Sequence, residues 1–312
     1  VLYKRILFNY EEKSLGGQKS MLSQQYQDNI DTLLKKIQEA EAIVVGGAAG
    51  MSEAIGHTSF YHTDENFLKR FGEFKEKYGI KNMFMGYHYP YPTSEERWAF
   101  LATEMKLIHD AEAGRPYLDL LQLLQGKNYF LVTTNQDAQF SKTFPKEKVS
   151  LIQGDLRYFQ CGSRCHDQIY FNKDQVDEMY ANIEGTKIPT DLIPRCPKCG
   201  QEMEPWIRSY VFLEGSSYRN ELRKYNEFLI KNKDKKILFL ELGVGTMTPM
   251  FIKEPFWNMT YSFPDAYYIT INPKDAIVPQ ELSEKGLAIE EDIARVLQDA
   301  LDGKGKRDSD IG

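Results

Sequence analysis

The chain has 312 residues, of which 42% are hydrophobic, 13% aromatic and 27% charged, and its formal net charge is -6. That composition suits one large core plus a smaller module, not a disordered chain. The net negative charge and the scatter of lysines and arginines argue against a nucleic-acid partner, and no run reaches the roughly 18 apolar residues of a membrane span. Val1 to Tyr10 is short and polar around Lys4 and Arg5, unlike a signal peptide, so the expected location is cytoplasmic.

From the N-terminus, Ile30, Leu33, Leu34, Ile37 and Ala40 recur at helical spacing and predict a helix over Met21 to Glu41, within an N-terminal helical segment 1–41. Ala42-Ile-Val-Val45 reads as a buried strand running into Gly46-Gly-Ala-Ala-Gly50, the way a nucleotide-binding βα unit begins. Residues 57–126 lack strand signals and form a helical insertion. Phe67, Leu68 and Phe71 mark one helix, Trp98, Leu101, Met105 and Ile108 another, and Tyr117 to Leu124 a third. Met83 to Pro92 is aromatic and turn-like. Its Tyr87-His-Tyr-Pro-Tyr-Pro92 stretch reads as a surface or hinge loop, with a substrate-facing wall as the alternative.

Tyr129 to Val132 is the next strand, ending at Thr133-Thr-Asn-Gln-Asp137. Val149 to Ile152 follows, ending at Gln153-Gly-Asp155. Residues 156–206 hold all four cysteines and show little helical periodicity. Strand signals resume at Tyr210 to Leu213, Ile237 to Leu242 and Tyr267 to Ile271, and Glu290 to Leu301 is a final helix before a frayed tail, 302–312. The repeat is strand, turn, helix, with each polar or glycine-rich motif just after a strand. This predicts a doubly wound parallel α/β sheet, 42–155 plus 207–301, with a ligand crevice at the strands' carboxyl ends.

Cys161-x3-Cys165 and Cys196-x2-Cys199 are two close pairs separated by thirty residues. Too few for a disulfide scaffold, they form a zinc-ribbon-like pattern in which four thiolates close a tetrahedron without an open position. A structural Zn2+ site is expected, in a zinc-binding module over 156–206. His166, beside Cys165, is the alternative ligand.

The ordered set Ala48-Ala-Gly-Met-Ser52, Thr133-Thr-Asn-Gln-Asp137, Gln153-Gly154, Cys161/Cys165 with Cys196/Cys199, Gly245-Thr-Met247 and Ile271-Asn272 resembles the sirtuins over about Ala42 to Leu301. The resemblance implies a Rossmann-like fold and NAD as co-substrate. It implies that Asn135 orients the nicotinamide ribose and a water, and that Asp137 holds the carboxamide. It extends the nucleotide set to Ala48, Ala49, Gly50, Ser52, Glu53, Phe60, Thr134, Gln136, Gly245, Thr246, Asn272 and Ile293. Read alone, Asn272 is also a turn residue and Ile293 also a core residue.

The departures are specific. Ala48 stands for a glycine, and His57-Thr-Ser-Phe-Tyr61 replaces Ile-Pro-Asp-Phe-Arg, keeping Phe60. Thr134 replaces a glutamine, and Gln153 replaces the catalytic histidine. This combination resembles the bacterial class M, macrodomain-linked sirtuins. That resemblance implies protein ADP-ribosylation, with a lipoyl-carrier protein related to glycine-cleavage H protein as acceptor. NAD-dependent lysine deacylation and a non-catalytic NAD or ADP-ribose sensor are the alternatives.

Gln153 has a chemical reading of its own. Deacylation needs a base to take a ribose hydroxyl proton, which a histidine near neutrality accepts and an amide cannot. Attack by a carboxylate, already ionised at pH 7, needs no such base. With the roles that the resemblance implies for Asn135 and Asp137, Gln153 completes the expected catalytic group. Asp155 reads as a solvated loop residue or helix start, and Arg157 is uncommitted. None of the histidines is assigned to catalysis, although His57 follows the nucleotide turn.

Overall fold

The computed structural model describes residues 23–311, with side chains through residue 305. Val1 to Tyr10 and the first two residues of the expected opening helix lie outside the described residues. The helix itself, α1, covers 23–39.

Strand β1 (Ala42–Gly47) is buried along its whole length. It lies at the centre of a six-stranded sheet whose remaining strands are β2 (Tyr129–Thr133), β3 (Val149–Leu151), β7 (Ile237–Leu242), β8 (Ala266–Ile271) and β9 (Gly286–Ile289). Their order is β3-β2-β1-β7-β8-β9, and every pairing is parallel. Alternate residues leave each strand on opposite faces. Ile43, Val45, Leu131, Leu238 and Leu240 pack one way, with Ile30, Leu33, Tyr117, Leu120, Val296 and Leu297. Those come from α1, from α6 (Arg115–Leu123) and from α11 (Ile293–Ile311). Val44, Phe130, Val132 and Phe239 pack the other way, toward α9 (Ser216–Asn232) and α10 (Lys253–Ser262). Burial on both faces explains why these strands read as continuous apolar runs.

A second core joins the helical insertion to the cysteine-bearing segment. The short α2 (Ala49–Glu53) directly follows β1 and buries Met51 in the main core; the insertion then carries α3 (Glu65–Tyr78), α4 (Met83–Tyr87) and α5 (Ser94–Asp110). Two short helices, α7 (Gln139–Thr143) and α8 (Lys173–Ala181), lie beyond it. Strands β4 (Gly154–Cys161), β5 (Ile169–Phe171) and β6 (Met203–Ile207) form an antiparallel sheet of order β5-β4-β6. Phe67, Phe71, Trp98, Phe100 and Met105 share one buried cluster with Phe159, Met179, Met203 and Ile207. The Trp98 and Phe159 rings meet edge to face at 5.3 Å, and Arg97 forks onto Glu204.

Four expectations need correction. Tyr210 to Leu213 is not a strand: the fully buried Gln160 side chain serves that backbone, donating to the Val211 carbonyl and accepting from Leu213 N–H at 2.8 Å. The stretch 156–206 does contain a helix, α8, whose weak periodicity reflects only two buried residues, Val176 and Met179. The aromatic stretch after Met83 begins as α4, because Asn82 caps it by accepting from Met85 N–H at 2.8 Å. The expected tail is helical, since α11 continues to Ile311. Strand β9 is short and begins on a glycine, too little signal to read beforehand. Among the described residues, no helix is long and apolar enough to cross a membrane.

Candidate active site

The loops after β1, β2, β3, β7 and β8 open at one end of the sheet, where parallel strands leave unpaired backbone groups for a ligand. The turn after β1 is fixed first. Gly50 N–H donates to the Gly243 carbonyl at 3.0 Å, and Ala48 N–H to the Leu242 carbonyl at 3.1 Å. A Cβ on Gly50 would fall 2.6 Å from the Gly243 Cα, so this backbone approach requires glycine; Gly243, with φ at 64°, requires it also for its conformation.

The turn after β2 then locks onto it. Thr133 donates its hydroxyl to the Gly47 carbonyl at 2.9 Å and accepts from Asn135 N–H at 2.9 Å. Asn135 Nδ2 donates to the Ala48 carbonyl at 2.9 Å and to Ser52 Oγ at 3.1 Å, while Ser52 Oγ donates to Asp137 Oδ2 at 2.5 Å. Gln139 N–H donates to the other carboxylate oxygen at 3.1 Å. Asn135, Ser52 and Asp137 thus form one hydrogen-bonded group. Burial raises the Asp137 carboxyl above its ordinary range, opposed by the bonds from Ser52 and Gln139 and by nearby His57.

Gln153 is half-buried in the turn between β3 and β4, and its side-chain amide has no hydrogen bond among the described residues. Its carbonyl accepts from Arg208 N–H at 2.9 Å and from Gln136 Nε2 at 3.4 Å, which ties it to the Asp137 loop. Arg208 was not singled out from sequence. Its guanidinium also donates to the Ile152 carbonyl at 3.0 Å and to Tyr218 at 2.9 Å, so it braces the segment that carries Gln153. Tyr117 was also missed, because a tyrosine in an apolar helix reads as core. Its side chain is fully buried, and its hydroxyl lies beside Ser52 and Asn135.

The remaining expected nucleotide residues are spread along the same edge. Ala48 and Ala49 open α2, Glu53 closes it exposed, and Phe60 packs against Tyr61 and Phe84. Thr134 and Gln136 flank Asn135, both half-buried. Gly245 and Thr246 follow β7, Thr246 exposed. Asn272, by contrast, is buried, and its amide is committed to backbone: it donates to the Val244 carbonyl at 3.2 Å and accepts from Lys274 and Asp275 N–H. Ile293 is buried in the main core.

Asp155 is corrected: it lies in β4, is 1% exposed and holds Arg157 in a fork, with Nη2 to Oδ2 at 2.6 Å. Burial pushes the His57 and His109 imidazoles below their usual range. His109 is bonded to Asn172 at 2.7 Å, and His62 and His88 are exposed.

The four cysteine sulfurs lie within 4.8 Å of one another, with Cys161–Cys199 at 3.6 Å and Cys165–Cys196 at 3.7 Å. A tetrahedron of Zn–S bonds of about 2.3 Å has edges of about 3.8 Å, so the donor set fits Zn2+. His166 Nε2 sits 3.3 Å from Cys196 Sγ, a hydrogen-bonding neighbour of a ligand and not one of the four.

The chain is 36% identical over 286 residues to a protein ADP-ribosyltransferase of Staphylococcus aureus, covering 90% of each. It is 25% identical to a probable bifunctional ADP-ribose hydrolase/ADP-ribosyltransferase of Fusarium oxysporum f. sp. cubense, spanning 46% of that longer protein. Among solved structures it matches a Sir2 homologue in complex with NAD, at TM-score 0.57 and 17% identity over 89% of this chain and 94% of that one. It also matches a sirtuin from a study of substrate affinity, at TM-score 0.59 and 17% identity over 87% and 98%. No family model matches the chain. With the staphylococcal relative extending along nine-tenths of both chains and the Sir2 fold beneath the same motifs, the chain belongs to the sirtuin family.

Proposed function

We propose that this chain is an NAD-dependent protein mono-ADP-ribosyltransferase that releases nicotinamide. One observation carries the reading. The Asn135–Ser52–Asp137 group is intact, while the neighbouring Gln153 offers an amide where deacylation needs a base. The transferase names of both relatives support it.

NAD carries its ADP-ribosyl group on a cationic nicotinamide, which departs as a neutral molecule. When the bond to nicotinamide breaks, its electron pair departs with nicotinamide and positive charge develops on the ribosyl ring. The Asp137 carboxylate and the Asn135 carbonyl oxygen, oriented by Ser52 and Ala48, present fixed negative potential to such charge. Gln153 holds a ribose hydroxyl as donor or acceptor without removing its proton. An acceptor carboxylate closes the new carbon–oxygen bond; the products are an ester and nicotinamide, and charge balances.

The acceptor in this reading is a lipoyl-carrier protein of the glycine-cleavage H kind, as the class M resemblance implies. The Fusarium relative's name couples a transferase to an ADP-ribose hydrolase, which supports a partnership with a macrodomain protein that reverses the mark.

Labelled NAD, an acyl-lysine peptide and a lipoyl-carrier protein incubated together test the reading by mass spectrometry. Label on the carrier is the expected result. Deacylated peptide with O-acyl-ADP-ribose would replace transfer by deacylation, and tight NAD binding without nicotinamide release would make the chain a sensor. Asn135→Ala is expected to abolish nicotinamide release while zinc content and melting temperature hold; unchanged release would remove Asn135 from catalysis.

A further inference from the structure

A buried ion pair lies beneath the loops after β7 and β8. Glu241 and Lys253 have side chains 0% and 1% exposed, and Lys253 Nζ is 2.6 Å from Glu241 Oε1. Thr270 donates to the same oxygen at 2.9 Å. Folding stability gives little reason for this arrangement. Desolvating two charges consumes most of their attraction, and an apolar pair of similar volume commonly does as well. Lys253 is also the first residue of α10, where the helix dipole disfavours a cation. Glu241 Oε2, Tyr268 OH and Trp257 Nε1 are buried beside one another at the same spot.

What the pair does is join two loops. Glu241 is the penultimate residue of β7, just before Gly243 to Thr246. Lys253 ends that loop and donates also to the Asp275 carbonyl, at 3.2 Å, in the loop after β8. Asp275 N–H in turn bonds Asn272 Oδ1 at 3.1 Å, and Asn272 Nδ2 returns to the Val244 carbonyl at 3.2 Å. The circuit closes through both loops.

We infer that Glu241 and Lys253 are positioning residues for the side of the cleft formed after β7 and β8, holding the loop 243–252 and the loop 272–279 as one binding surface. The inference rests on the NAD-cleft reading above. It separates anchoring of the nucleotide from the chemistry at Asn135.

The test is the paired variant Glu241→Gln/Lys253→Met, in which the Gln carbonyl still accepts from Thr270. Its melting temperature should stay near that of the wild type. Its Kd for ADP-ribose and KM for NAD should rise about tenfold, with kcat for nicotinamide release held. Wild-type Kd and KM, or a fall in kcat at unchanged KM, would overturn the inference. Hydrogen exchange in the wild type covers the case of a variant that does not fold. Amides of 243–252 and 272–279 should open together in the free protein and slow together on adding ADP-ribose; independent opening would overturn the coupling. A wild type that bound no ADP-ribose would refute the cleft reading, while exchange in the free protein would still decide the coupling.

Discussion

Asn135 donates from one amide nitrogen to both Ala48 and Ser52, and this fixes which way its carbonyl oxygen faces. Ser52 and Asp137 complete the chain of donors and acceptors, so the three act as a unit whose single substitutions should not add. Gln153 is the variable member. Its backbone is held by Arg208 and Gln136 while its amide is unengaged, so the residue type can change with the scaffold in place. Gln153→His is therefore expected to create NAD-dependent release of the acyl group from an acyl-lysine peptide and to weaken transfer. Chromatography of both products decides it; if neither changes, Gln153 does not select the reaction.

At the level of elements, the buried face of α5 carries a carboxyl that the packing does not serve. Glu104 is 1% exposed, its Oε2 has no hydrogen-bond partner, and burial pushes its pKa up to about 8. A folded pKa above the unfolded value of about 4.3 means the native state holds the proton more tightly. Stability from this group is present in full below the unfolded pKa and is lost as pH rises toward 8. Glu104→Met is thus expected to raise the melting temperature by about 5 °C at pH 8 and to lose that advantage near pH 4. A pH-independent gain, measured by calorimetry at both values, would show that the Glu104 carboxyl has the same pKa folded and unfolded. The cysteine site gives the second expectation at this scale. Because β4 and β6 share one apolar cluster with α3 and α5, removing Zn2+ should loosen the insertion as well as the ligand loops. After chelation, exchange should quicken across 65–110 and 154–207 together while β1 and β7 keep their protection. Loosening confined to the cysteine loops would mean the shared core does not transmit the loss.

Across the whole molecule, what the sequence made legible follows burial. Strands β1, β2, β7 and β8 are covered on both faces and read as apolar runs; the four cysteines are close in spacing and close in space. The antiparallel strands β4 and β6 escaped notice, since their core partners lie in the sequence-distant helical insertion and their pairing shifts register between Gly154 and Phe159. Tyr210 to Leu213 has strand composition, yet a single buried glutamine side chain serves its backbone instead of a neighbouring strand. Tyr117, Arg208 and the Glu241–Lys253 pair gave no motif to read, because each matters through a contact between separate elements that no local pattern marks.

That last property bears on when the molecule becomes competent during synthesis. The central strand β1 pairs on one side with β2 and on the other with β7, and the turn after β1 is held by Gly243 from the far half of the chain. A nascent chain that has released β1 and β2 but not β7 still exposes an open apolar strand edge and lacks the backbone partner of Gly50. Its nucleotide turn can close only once β7 and Gly243 have been made, so the early product must be shielded from aggregation before it can be protected by its own ligand.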